Sequence, residues 1–240
     1  MNETNLKDEA LKNNDGTTFV DIDKLPISLV KHRFNYKQIN WHDLLMLVDI
    51  ADRSKRYATM VIENGFNFYL LKSSTTALIN RKLQMECLLH KHFNRSICEE
   101  LHIKNKFPIL TTEASLIPLP SNHRTRSYSW FNANLLSYCI PYSTDKFSYL
   151  YMHGRETHIK VHASGYYLQN KFKDLMMIQN FIIYYTQRSL NCINFVKQSR
   201  FNNPNLSCNN SILFDDQIYH NIYLKTAKYM YEDYLANKKE

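Results

Sequence analysis

Four glycines, at positions 16, 65, 154 and 165, have to serve a chain of 240 residues. No two of them have the spacing of a G-x-G-x-x-G fingerprint or a Walker loop, so the usual backbone cradles for phosphate are absent. A dinucleotide-binding sheet, a P-loop nucleotide hydrolase and a collagen repeat are therefore excluded. Asn, Lys, Ile, Tyr and Phe are abundant instead, a bias of AT-rich coding that assigns no chemistry by itself. With 44% hydrophobic residues the chain is apolar enough to bury a core.

Turn and periodicity signals divide the chain. Residues 1–17 are polar and charged and are expected to be disordered. Residues 18–56 are expected to form an N-terminal extension. It has short strands at Thr18–Ile22 and Ile27–Val30 and an amphipathic helix over 41–52, N-capped by Asn40. The basic cluster Arg53 to Arg56 would end that helix. Residues 57–240 are expected to form the main domain.

Asn64-Gly65 predicts a β-hairpin within 57–71. Ser74 or Thr75 caps a predicted helix running to about His90. Lys106–Leu110 and Ser115–Pro118 are expected as short extended pieces broken by prolines, and strands are expected at Trp130–Tyr138, Lys146–Met152 and Thr157–Ala163, with a turn at His153-Gly154. A long helix is predicted from Leu168 to Leu190. A polar loop at 202–210 and a last helix from Asp215 or Asp216 to Asn237 complete the chain. Strands and helices mix without strict alternation. The expected class is α+β: a small mixed sheet or partial barrel of short strands, a long central-to-C-terminal helix and a C-terminal helix.

Charge is unevenly spread. Residues 1–52 hold 9 acidic and 6 basic side chains, and residues 53–240 hold 24 basic and 13 acidic. A basic body behind an acidic start points to a polyanionic partner, nucleic acid before an acidic membrane surface. The five cysteines include no C-x-x-C, which argues for reduced thiols rather than a zinc ribbon or disulfide framework. The start of the chain lacks the apolar stretch of a signal peptide, and no apolar run suits a transmembrane helix.

Chemistry-bearing patterns are few. His158, Lys160 and His162 alternate with apolar residues as a strand would, and the ammonium between the histidines disfavours a cation. His90 and His92 beside Lys91 read as charge at a helix end. No metal or cofactor is expected. No G-x-S-x-G elbow is present, and Glu99-Glu100 and Asp215-Asp216 read as loop and cap features, so no enzyme is expected. The segment Pro118 to Trp130 is more informative. It carries His123, Arg124 and Arg126 without an acidic neighbour, between two prolines and an anchoring tryptophan. Such a basic arm suits insertion into a narrow minor groove.

The run Val61-Ile62-Glu63, the pair Phe68-Tyr69, Arg81, Lys106-Phe107-Pro108-Ile109, Leu116-Ile117-Pro118 and Trp130-Phe131-Asn132 fall in a recognisable order, followed by Val161 and Gln169. In these residues, from about Val61 to Leu190, the chain resembles the bacterial competence transcription factors of the ComK family. Lys82-Leu83 stands where that family has Ser-Cys, and Glu86-Cys87 where it has Tyr-Gly. The resemblance implies a cytoplasmic, nucleoid-associated activator that binds AT-rich duplex DNA largely through the minor groove, as a homo-oligomer, under an adaptor of the Clp protease. Minor-groove readout needs no recognition helix, only scattered cations. The candidates for DNA contact are Arg81, Lys82, Arg95, Lys104, Lys106, His123, Arg124 and Arg126. Two other classes stay open: a ComK-like protein that acts by protein–protein interaction without specific DNA binding, and a single-strand or RNA binder using the 13% aromatic content.

Overall fold

The computed structural model describes residues 11–12, 18–25, 27–30, 32–35, 37–86, 90–104, 106–120, 128–141, 146–154, 158–198 and 216–237. The segments expected as a disordered start, 1–17, and a polar loop, 202–210, fall almost wholly outside them. The chain divides into two compact units, one of Met1–Lys91 with Lys106–Phe172 and one of His92–Asn105 with Lys173–Glu240. The class is α+β, with short strands in two mixed sheets, a long helix and a C-terminal helix.

The first unit holds both sheets. The smaller contains β1 (Leu11–Lys12), β2 (Thr18–Asp21), β10 (Leu136–Pro141), β11 (Ser148–Met152) and β12 (His158–Val161), in the order β1-β2-β12-β11-β10. The larger contains β3 (His32–Phe34), β4 (Leu44–Asp49), β5 (Thr59–Glu63), β6 (Asn67–Leu71), β7 (Ile109–Leu110), β8 (Ser115–Pro118) and β9 (Trp130–Asn132). Its order is β3-β6-β5-β4-β9-β8-β7. Pairings are antiparallel except β2 with β12 and β3 with β6, which are parallel.

The segment expected as an amphipathic helix over 41–52 is instead strand β4, preceded by a turn at Trp41–Asp43. The reason is burial on both faces. Leu44 and Leu47 pack with Val61, Tyr69, Leu78 and Leu116 in one core cluster. Met46 and Val48, pointing the other way, are equally buried. A strand covered on both faces loses the alternation that distinguishes it from a helix. Asn40 caps no helix: its Nδ2 donates to Asp43 Oδ2 at 2.6 Å. Residues Ile27–Leu29, expected as a strand, form a single 3-10 turn. The expected extension contributes β2 to one sheet and β3 and β4 to the other.

The hairpin at Asn64-Gly65 forms as the sequence predicts, with Glu63 opposite Asn67. Gly65 takes φ 86°, a left-handed conformation that glycine adopts without strain. Helix α1 (Thr75–Met85) is N-capped by Ser74, whose Oγ accepts the Ala77 N–H at 3.2 Å. It lays Leu78, Ile79 and Leu83 on the core cluster and stops at Met85, short of the expected His90. The strand expected over Trp130–Tyr138 is broken by a 3-10 turn at Ala133–Leu135, nucleated by Asn132 Oδ1, which accepts the Asn134 N–H.

Three helices build the second unit. Helix α2 (Lys91–Glu100) occupies the stretch where Glu99-Glu100 was expected in a loop. Helix α3 (Gly165–Gln198) is longer than the predicted Leu168–Leu190, its first two turns lying in the first unit. Helix α4 (Asp216–Asn237) has its expected bounds. Aromatic rings join them, with Phe181 and Tyr219 centroids 5.2 Å apart and Phe93 and Tyr185 at 5.9 Å. None of the described helices is long and apolar enough to cross a membrane.

Two substitutions test this packing. Leu47→Ala, at a fully buried site of β4, is expected to lower the free energy of unfolding by about 3 kcal/mol in denaturant titrations. At Gly165 an added Cβ would lie 2.5 Å from Pro141 Cβ, so Gly165→Ala should cost about 1–3 kcal/mol in the same titration although alanine favours helices.

Candidate nucleic-acid interface

Strands β8 and β9 pair in the register Leu116↔Asn132, Ile117↔Phe131 and Pro118↔Trp130. The ladder extends one step further, the Leu119 N–H donating to the Ser129 carbonyl at 2.8 Å. The basic arm thus connects two paired antiparallel strands. Its residues 121–127, with His123, Arg124 and Arg126, lie outside the described residues, but its base is described and firmly held. Thr75 Oγ1 donates to the Tyr128 carbonyl at 2.7 Å, and Tyr167 OH to the Pro118 carbonyl at 2.9 Å. Ser129 Oγ accepts the Asp49 N–H at 3.0 Å, and Trp130 is buried. The expectation that Trp130 anchors the segment is met by this arrangement.

Lys106 belongs to the same place. Its Nζ stands 4.2 Å from the centroid of Tyr128, the first described residue after the arm. A cation over a tyrosine face gains about 0.5–1 kcal/mol or more as it is desolvated. Burial lowers the Lys106 pKa from the ordinary lysine value, with no opposing carboxylate among the described residues. An anion reaching this ammonium would find it poorly hydrated.

Arg81 and Lys82 sit on α1 and line one open cleft of about 630 Å³ with Lys37, Asn40, Trp41 and Glu113. They differ sharply. Arg81 is exposed, whereas Lys82 Nζ lies 2.9 Å from Glu86 Oε1 and 3.0 Å from Glu113 Oε2. Glu86 Oε1 also accepts the Thr112 hydroxyl at 3.0 Å. Burial opposes ionisation of both partners, yet the hydrogen bonds prevail: the Lys82 pKa is raised and the Glu86 pKa lowered. Lys82 is therefore already engaged by two carboxylates. Lys37 and Trp41, outside the sequence candidates, join the cleft from the segment that leads into β4.

The remaining candidates belong to the second unit. Arg95 Nε donates to Glu99 Oε1 at 2.9 Å, and its guanidinium lies 4.1 Å from the Tyr229 ring centroid. Tyr229 OH donates to Glu99 Oε2 at 2.6 Å. The Glu99 hydrogen bond raises the Arg95 pKa, so this cation ties α2 to α4 as well as facing solvent. His92, read from sequence as helix-end charge, meets Asp233 of α4 at 2.9 Å. Lys104 is exposed.

One further cluster was not foreseen. Asp21, Asp23 and His162 offer ligand atoms within 4.8 Å of one another because β2 and β12 run parallel. Lys160 Nζ stands 3.3 Å from Asp21 Oδ2 and neutralises this buried carboxylate. Its ammonium also lies 4.3 Å from the Phe147 ring centroid.

No family model, curated protein or solved structure matches the chain.

Lys82→Met should destabilise the protein by about 2–4 kcal/mol at neutral pH, because it leaves the buried Glu86 carboxylate without its cation, held only by the Thr112 hydroxyl and N–H. The sign of the pH dependence follows from the two shifts. Glu86, with its folded pKa depressed, stabilises above the usual carboxylate range and loses that contribution as pH falls through the folded value. Lys82, with its folded pKa raised, stabilises below the ordinary lysine value and loses it as pH rises through the raised one. Thermal unfolding against pH should be flatter at both ends in Lys82→Met than in the native chain.

Proposed function

We propose that this chain is a DNA-binding transcriptional activator of competence genes that reads AT-rich duplex boxes largely through the minor groove. The observation that carries the reading is the pinned base of the β8–β9 hairpin, with Lys106 stacked on Tyr128 beside it. A β-hairpin arm held rigidly at its root can follow a groove while its arginines enter it. Arg124 and Arg126 lie in that loop with no carboxylate in the segment to neutralise them. A narrow A·T groove focuses negative potential and favours arginine there. The 24 basic against 13 acidic residues over 53–240 supply the sequence-independent attraction to phosphate. The resemblance between Val61 and Leu190 supports the same class, with a cytoplasmic, nucleoid-associated location and no catalytic role.

A second reading has a specific observation in its favour. Lys82 and Arg95, two of the eight candidates, are engaged by carboxylates of their own units. A ComK-like protein that has turned such cations inward, and acts by binding a regulator or protease adaptor without specific DNA contact, would look this way.

Binding titrations separate the two. On the first reading, an AT-rich duplex binds more tightly than a GC-rich duplex or a single strand, and log K falls with log salt by about 0.9 per neutralised phosphate. Arg124→Ala with Arg126→Ala should weaken AT-rich binding by about 1–3 kcal/mol, the scale of a good groove contact, with unfolding unchanged. Lys55→Ala with Lys72→Ala, at exposed sites outside the arm, is the charge-matched control. An equal loss in the control, or a flat salt response, would favour the second reading.

A further inference from the structure

Helix α4 is apolar on two opposite sides. One stripe faces the rest of its own unit. Tyr219 and Ile222 are buried there, Thr226 Oγ1 meets Ser96 Oγ at 3.0 Å, and Tyr229 and Asp233 bond to Glu99 and His92. At 100° per residue the opposite stripe is Leu224, Ala227, Tyr231 and Leu235, with Tyr223, Met230 and Tyr234 along one flank. These side chains are in water: Leu224 is 56% exposed, Met230 54%, Tyr231 61% and Tyr234 57%. An amphipathic helix at a surface turns polar residues outward, and a contiguous apolar stripe there marks an interaction site.

We propose that two copies of this chain pair through the outer stripe of α4, as antiparallel helices related by a two-fold axis. Three features of the stripe select a second copy as the occupant. Its residues follow one another at steps of three and four, the spacing at which one helix seats its side chains between those of another. Ala227, in the middle, lets two helices approach closely.

The charges are self-complementary. Lys228 and Glu232 occupy the flank opposite the tyrosines, one turn apart, with 3.9 Å between Nζ and Oε1. An antiparallel two-fold brings like flanks together, so with the axis near Met230, Lys228 meets Glu232 of the partner subunit, and Glu232 meets the partner's Lys228. Parallel pairing would instead set this charged flank against the partner's tyrosine flank and leave the charges unmatched. The extent also fits. Six half-exposed large side chains offer on the order of 500 Å² per copy, so pairing buries about 1,000 Å², the lower bound of a specific interface.

This inference does not rest on the DNA-binding reading, and its test needs no DNA. Sedimentation velocity on the full chain should show mass rising from one copy to two with concentration. Tyr231→Asp should abolish the rise, and Lys228→Glu should raise the dimer dissociation constant by about tenfold, because two symmetric attractions become repulsions. The double variant Lys228→Glu with Glu232→Lys restores complementarity and should return the constant to the native value. Circular dichroism melts report whether each variant folds. Lys228 and Glu232 are exposed, so the charge-reversal pair decides the matter even if Tyr231→Asp does not fold. A native chain that stays monomeric, a dimer indifferent to Lys228→Glu, or a double variant that is not restored would each overturn the proposal.

Discussion

Burial of β4 on both faces is the constraint from which the first unit follows. Leu44 to Val48 are withdrawn from water almost completely, and two hairpins meet along this one strand. On one side it pairs with β5, and through β5 with β6 and β3; on the other it pairs with β9, and through β9 with β8 and β7. The described base of the arm is thereby rooted beside the middle strand of the larger sheet. Met46 lies opposite Phe131 and Leu47 opposite Trp130, so the register of the β8–β9 hairpin is set by the same residues that fill the core. A one-residue slip would turn Trp130 out of the cluster and carry the arm to the other face.

The sequence foretold the elements whose signals are local. Asn64-Gly65, the Ser74 cap, the alternation in Thr157–Ala163 and the 3.6-residue stripe of the last helix each need only a few neighbours to be read, and each is present. What it could not disclose is non-local. Leu44 to Val48 are compatible with helix or buried strand by pattern alone, and only the arrival of β9 from more than 80 positions away decides between them. The pairing of Asp21 with Lys160 has the same cause, since β2 and β12 are distant in sequence and adjacent in space.

Basic residues illustrate the same limit for the site. Arg81 and Lys82 are neighbours of identical formal charge, yet one faces solvent and the other is enclosed by Glu86 and Glu113. The Glu86 contact, four residues along a helix, was within reach of the sequence; Glu113 came from the turn between β7 and β8 and was not. Lys106 is the converse. Its placement over Tyr128 joins two segments that the sequence reading had singled out separately, the Lys106–Leu110 piece and the arm, at one hairpin root.

The parallel pair of β2 and β12 also bears on how the chain comes into being. Thr18–Asp21 leaves the ribosome long before His158–Val161 exists to receive it. At ordinary rates of synthesis the interval is on the order of ten seconds, far longer than hydrophobic collapse takes. Through that time Phe19 and Val20, buried in the finished protein, have only the two residues of β1 to lie beside. The nascent chain must keep β2 waiting for its second neighbour, in reach of chaperones and proteases, until the last sheet strand has been made.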